Sequence, residues 1–216
     1  VQSTSMPYNG FKAGRRVALR TQDIALLQAL PEIDVVAPRN QLGGWRHGNN
    51  VRHKKQTANL NVFADTPDYP IINPIKMTSG RFLNTLDIAE ERKVVVLGEQ
   101  AYTELFAQGE DPIGSYISIN SINFQVVGVY SVLAHGDEGE RQASSVHVPR
   151  TTYLKTFQEG DRVHWFMVRV AEEADAAEAE QAMRAALAKA HQVHPDDRRA
   201  FGSRNSAEKF QRLQNL

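Results

Sequence analysis

Four groups of residues in this chain are of types and spacing that could do chemistry. His191-x-x-His194, followed by Asp196 and Asp197, resembles a metal donor set, because residues three apart near a helix end share a face. No H-E-x-x-H pattern accompanies it, and a cationic histidine also sits well at a helix C-terminus, so a polar helix end is the expected reading. His47 and His53, with Arg52, Lys54 and Lys55, form a basic patch that could hold an anion. With no net charge on the whole chain, a solvated loop face is expected there instead.

Ser144, Ser145 and His147 supply a nucleophile and a base by type. Strand neighbours at odd separation point to opposite faces, however, and the local sequence offers no third partner. Asp87, Glu90, Glu91 and Glu99 are carboxylates without a visible partner arrangement and are expected to be surface charges. The phosphate-cradling loop, the dinucleotide-binding glycine pattern and the G-x-S-x-G elbow are all missing from the sequence. No residue is therefore assigned a catalytic, cofactor-binding or metal-ligating role.

The elements that would position these residues alternate between helix and strand. Thr21 precedes an apolar stripe at Ile24, Leu26, Leu27 and Leu30, which predicts a helix from about Gln22 to Leu30, closed by Pro31. Val35–Pro38 and Thr57–Phe63 read as strands, with a loop or hairpin turn over Gly43–Asn50 between them. Pro67, Pro70 and Pro74 interrupt any regular element and suggest a boundary. Beyond it come a buried strand at Lys93–Leu97, a helix over Glu99–Phe106, and two strands joined by a short Asn120-Ser121 turn. The Gly-, Ser- and charge-rich stretch from Leu133 to Ser145 reads as a mobile loop before a strand at Val146–Val148. A strand over Val163–Val170 follows, then a helix capped by Asp175, with Ala179, Met183, Ala186, Leu187 and Ala190 on one face. Phe210, Leu213 and Leu216 continue at helical spacing.

Composition limits the function classes. A chain of 216 residues with 41% hydrophobic residues can bury a core. Lys+Arg and Asp+Glu both number 25, so no broad basic surface exists for nucleic acid. The chain has no cysteine, which removes thiolate catalysis, disulfides and cysteine-type zinc sites. Its apolar runs are far shorter than the ~20 residues of a membrane span.

The order Ser79-Gly80-Arg81-Phe82-Leu83-Asn84-Thr85-Leu86-Asp87-Ile88, Lys93-Val94-Val95-Val96-Leu97-Gly98, Glu104-Leu105-Phe106, Asp111-Pro112-Ile113-Gly114 and Phe124-Gln125-Val126-Val127-Gly128-Val129 resembles the periplasmic core of MacB-like ABC-transporter permeases. With Thr21–Pro38 before and Val148-Pro149, Val168–Val170 and Glu180-Gln181 after, the likeness covers nearly the whole chain. The resemblance implies an α+β fold: a porter-like mixed α/β subdomain from residues 1–65 and 149–216, with a smaller α/β subdomain, 66–148, inserted. It implies a non-catalytic extracytoplasmic domain of an inner-membrane protein, without its own cofactor, ATP being bound by a separate ATPase domain or subunit. The implied partners are a second permease subunit, the cognate ATPase acting through membrane helices, and a periplasmic adaptor protein. On this view the start at Val1 fits removal of a first membrane helix, and Phe210, Leu213 and Leu216 lead into a second. A permease of the lipoprotein-releasing or cell-division type, docking a chaperone or a hydrolase activator, is the alternative within the family. A free-standing metal-dependent enzyme is the alternative outside it.

Overall fold

The computed structural model describes residues 3–43, 48–133 and 136–204. In chain order the elements are β1 (Leu19–Arg20), α1 (Gln22–Gln28), β2 (Ile33–Gln41), β3 (Asn49–His53), β4 (Gln56–Asp65), α2 (Tyr69–Ile72), β5 (Ile75–Gly80), α3 (Thr85–Ala89) and β6 (Val94–Gly98). There follow α4 (Glu99–Leu105), β7 (Tyr116–Ile119), β8 (Ile122–Val132), α5 (Gly136–Ala143), β9 (Ser145–Pro149), α6 (Arg150–Thr156), β10 (Arg162–Val163), β11 (Trp165–Val170) and α7 (Ala176–Ala190). Among the described residues no helix is long and apolar enough to cross a membrane.

The chain forms two compact units, one from Val1–Val36 with Val168–Leu216, the other from Ala37–Met167. These limits differ from the 65 and 149 suggested by the proline cluster and the glycine-rich stretch. The reason is pairing: β3 joins β4 on one side and β7 on the other, which ties residues 49–65 to the central stretch. The prolines do not break the chain there either. Pro70 occupies the first turn of α2, where its missing N–H is not needed, and β5 starts at Ile75.

In the terminal unit, Asp175 caps α7 by accepting from the N–H groups of Ala177 and Glu178. Ala188, Val193 and Ala200 pack with Val17 into a small apolar cluster against Phe201. Asp197 fastens the start of the chain, accepting from Ser5 N at 2.6 Å, Ser5 Oγ at 2.6 Å and Met6 N at 3.0 Å.

In the central unit six strands close on themselves in the order β4-β3-β7-β8-β6-β9 and back to β4. The end of β2 adds to β4 through Asn40↔Ala64 and Gln41↔Phe63, and β5 adds to β8. The β7–β8 turn is local chemistry made visible: Asn120 and Ser121 both take positive φ, +47° and +69°, as a tight two-residue hairpin requires. Period-two alternation sends Leu60, Val62, Val95, Leu97, Ile117, Ile119, Phe124, Val126, Val146 and Val148 into one apolar cluster, joined by Ala101, Leu105 and Phe106 from α4 and its C-cap. A second cluster, Leu83, Val94, Val96 and Tyr130, collects the opposite face of β6 with Phe82, Met77 and Val127.

Residues 136–143, expected to be loop, form α5. Its buried positions are Gly139 and Ala143, so the glycine that looked like a loop signal is the small residue that lets the helix lie close. Gly98 makes the matching concession on β6: a Cβ there would stand 2.1 Å from the Ala143 carbonyl oxygen.

Candidate functional site

The face of β9 that leaves the apolar cluster carries His147, and five other elements bring polar groups to it. β4 supplies Asp65 at its last position, in parallel register with Pro149, while Phe63 is the registered partner of His147. His147 Nδ1 lies 2.7 Å from Asp65 Oδ2, so the proton sits on Nδ1 and the carboxylate accepts it. On the other side His147 Nε2 lies 2.7 Å from the Tyr130 hydroxyl of β8. That hydroxyl also donates to the Gln142 carbonyl of α5 at 2.6 Å, and Gln142 Nε2 donates to the Tyr69 hydroxyl of α2 at 3.0 Å.

Arg39 of β2 neutralises Asp65. Its Nη2 donates to Oδ2 at 3.1 Å, and its Nε faces Oδ1 at 2.9 Å as an ion pair without the alignment of a hydrogen bond. The guanidinium rests 3.7 Å over the Phe63 ring and 4.7 Å over Tyr69, where cation–π attraction replaces part of its lost hydration. Phe63, Tyr69, Phe82 and Tyr130 all approach His147 with centroids 4.9–6.2 Å away.

Burial dominates the electrostatics of this line. Asp65, Tyr130 and His147 are each 0% exposed. Loss of water pushes the His147 pKa down, with Asp65 opposing and Arg39 reinforcing the shift, and it pushes Tyr130 well up. Tyr69 is raised as well, again by burial first. Aspartate, histidine and a hydroxyl in line are the parts of an acid–base relay, but here no surface reaches the imidazole. The geometry holds five elements, β2, β4, β8, β9 and α5, in fixed relation, and Tyr69 adds α2. A surface depression of about 550 Å³ is lined by Glu91, Thr151, Leu154, Lys155, Gln158 and Gly160, none of them in this line.

The residues singled out by sequence fall into separate places. Ser145 Oγ donates to the Arg141 carbonyl and Ser144 Oγ to the Glu140 carbonyl, so neither serine meets His147, whose partners are instead 82 and 17 residues away. Asp87 is not a surface charge. It is 0% exposed, completes a capping box with Asn84 on α3, and receives Arg81 in a fork at 2.6 and 3.0 Å with Arg92 at 3.7 Å. Hydrogen bonds and cations outweigh its burial and hold its carboxyl below the usual range. Glu90 pairs with Arg92, Glu91 with Lys155, and Glu99 accepts from Val132 N at 3.4 Å.

His53 is also not on a solvated face. It is 5% exposed, stacks on Phe106 at 4.0 Å, and places its nitrogens 2.9 Å from the Tyr116 carbonyl and 3.0 Å from Glu110 Oε1. The physical reason is that it ends β3 and turns in against α4, while Arg52, Lys54 and Lys55 remain exposed. Lys54 and His53 together draw the Glu110 pKa down to about 2. His47 lies outside the described residues, as does the helical stretch expected from Ser206 to Leu216. His191 bonds Asp23 at 2.9 Å and His194 packs edge-on to Tyr8, while Asp197 serves Ser5 and Met6. Among the described residues no three His, Asp or Glu side chains are grouped to hold a metal ion.

Fold and site together define a class: an α+β domain whose buried polar groups bind its own elements to one another. The chain belongs to the family of the MacB-like periplasmic core domain, whose model matches residues 1–186. It is the extracytoplasmic domain of a MacB-like ABC-transporter permease. It is 26% identical over 190 residues to the macrolide export ATP-binding/permease protein MacB of Nitrosomonas europaea, covering 88% of this chain and 28% of that protein. It is 30% identical over 118 residues to the pyoverdine export ATP-binding/permease protein PvdT of Pseudomonas putida, covering 54% of this chain and 17% of that one. The chain thus spans well under a third of the curated relatives it matches. The fold matches the periplasmic region of MacB from Actinobacillus actinomycetemcomitans with a TM-score of 0.75 at 22% identity, over 100% of this chain and 92% of that one.

Proposed function

We propose that this domain is the moving, partner-contacting part of an export permease, driven by a cytoplasmic ATPase through flanking membrane helices and performing no chemistry itself. The observation that carries this reading is the family match over residues 1–186, in a chain whose Asp65–His147–Tyr130 line is closed to solvent. Force can be passed by a body that keeps its shape. The buried ion pair, the tyrosine bonds and the closed strand order all favour such rigidity. Export as the task is supported by relatives named as macrolide and pyoverdine export proteins. The partners on this reading are a second permease subunit, the cognate ATPase, which holds the ATP, and a periplasmic adaptor.

Motion of this kind needs two arrangements that ATP stabilises differently. Tyr116 is 59% exposed and the chain has no cysteine, so Tyr116→Cys offers a clean label site. Spin labels placed there in the full-length transporter, freed of other cysteines, are expected to report a changed distance between the two copies when Mg-ATP is added. An identical distance distribution with and without nucleotide would count against the reading.

A further inference from the structure

We propose that the line Asp65–His147–Tyr130–Gln142 is an acid-sensitive latch on α5: a proton added to His147 releases the helix from the sheet. The argument starts from a proton count. The line ends in two acceptors, the Asp65 carboxylate and the Gln142 carbonyl, with three short contacts of 2.7, 2.7 and 2.6 Å between them. Three contacts need three protons, yet a neutral imidazole and a phenol bring only two. With Nδ1–H given to Asp65, the Tyr130 proton must serve both His147 Nε2 and the Gln142 carbonyl.

A third proton would complete the bonds but place an imidazolium beside the Arg39 guanidinium, giving two cations and a single carboxylate where His147 and Asp65 are 0% exposed. The other groups facing the site do not offset this. Tyr130 from β8 and Tyr69 from α2 are neutral, Arg81 beside Phe82 is engaged by Asp87, and Glu99 at the start of α4 is exposed. The charges of α5, Asp137, Glu138, Glu140 and Arg141, point to water. The downward pull of burial on the His147 pKa agrees in direction. Relief comes from letting water in, and α5 covers the line where Tyr130 meets the Gln142 carbonyl. Its buried positions are only Gly139 and Ala143, so little apolar area opposes its lifting, and hydration of the imidazolium has only to outweigh the bonds that Tyr130 and Tyr69 make to Gln142.

Hydrogen exchange read by mass spectrometry on the 216-residue chain tests this, using β6 (Val94–Gly98) as an internal reference for α5 and correcting for intrinsic exchange. Between about pH 7.5 and about pH 5 the protection of α5 relative to β6 is expected to fall by about tenfold. In His147→Asn, which keeps a donor toward Asp65 but cannot titrate, the ratio is expected to stay flat. In Tyr130→Phe, α5 is expected to be poorly protected at both pH values. A wild-type ratio that does not change with pH overturns the latch, whether or not the variants fold. So does an equal fall in wild type and His147→Asn.

Discussion

His147 with Asp65 and His53 with Glu110 are the same chemical pair in two settings of one closed sheet. The first pair is wholly buried and the second is open on the carboxylate side, with side-chain exposures of 0% and 0% against 5% and 22%. At the first, loss of water is the leading influence and the histidine is pushed toward its neutral form. At the second, Lys54 and the histidine itself lead, and the carboxyl of Glu110 is drawn down to about 2. The difference teaches that the pair alone fixes neither charge nor consequence: access to water and the identity of the third partner do. A wholly buried pair fixes architecture, and removing one member strands the other, whereas a pair open on its carboxylate side only trims a loop.

Breaking the buried member should have the largest effect. Asp65→Ala leaves the Arg39 guanidinium without its carboxylate and is expected to cost about 3–5 kcal/mol in urea unfolding. Next is Gly98→Ala, whose Cβ would meet the Ala143 carbonyl oxygen at 2.1 Å, for an expected loss of about 1–3 kcal/mol in the same measurement. Tyr130→Phe keeps the ring but strips the hydroxyl from His147 and the Gln142 carbonyl, with an expected cost of about 1–2 kcal/mol. Glu110→Gln should be smallest, moving the urea midpoint at pH 7 far less than any of these; a shift as large as that of Asp65→Ala would erase the contrast.

The two pairs should also separate by pH. His147 is depressed in the folded state, so the unfolded chain takes its proton first as pH falls. Its contribution is full above the ordinary value of 6.5 and is lost as pH drops below that. Glu110 is likewise depressed, from 4.5 to about 2, so its contribution is present above 4.5 and is lost between 4.5 and about 2. Stability curves of His147→Asn and Glu110→Gln should each lose one of these windows and keep the other.

What could be read from the sequence follows from how local each cause is. The Asn120-Ser121 hairpin and the Asp175-capped helix depend on neighbours in the chain and formed where the residues indicated. α5 was misjudged because its glycines and charges describe a loop unless one knows that Gly98 waits beneath Ala143. The same holds for the polar line. His147 was visible, but Asp65 is 82 positions away, and nothing local marks the two as partners. One signal was available in β2: Arg39, Asn40 and Gln41 follow the apolar Val35-Val36-Ala37 in the same strand, and buried polar residues in such a run require partners. The limits expected at 65 and 149 rest on the proline cluster and the glycine-rich stretch, whereas the compact units divide after 36 and 167, a division that follows strand pairing, which sequence periodicity does not reveal.

The claim that burial holds His147 neutral and pointed at Asp65 is tested most directly by the nitrogen chemical shifts of its imidazole, followed by NMR through a pH titration. The account expects a proton on Nδ1 at neutral pH and a titration midpoint below 6.5. A proton on Nε2 alone, or a midpoint at or above 6.5, would contradict it.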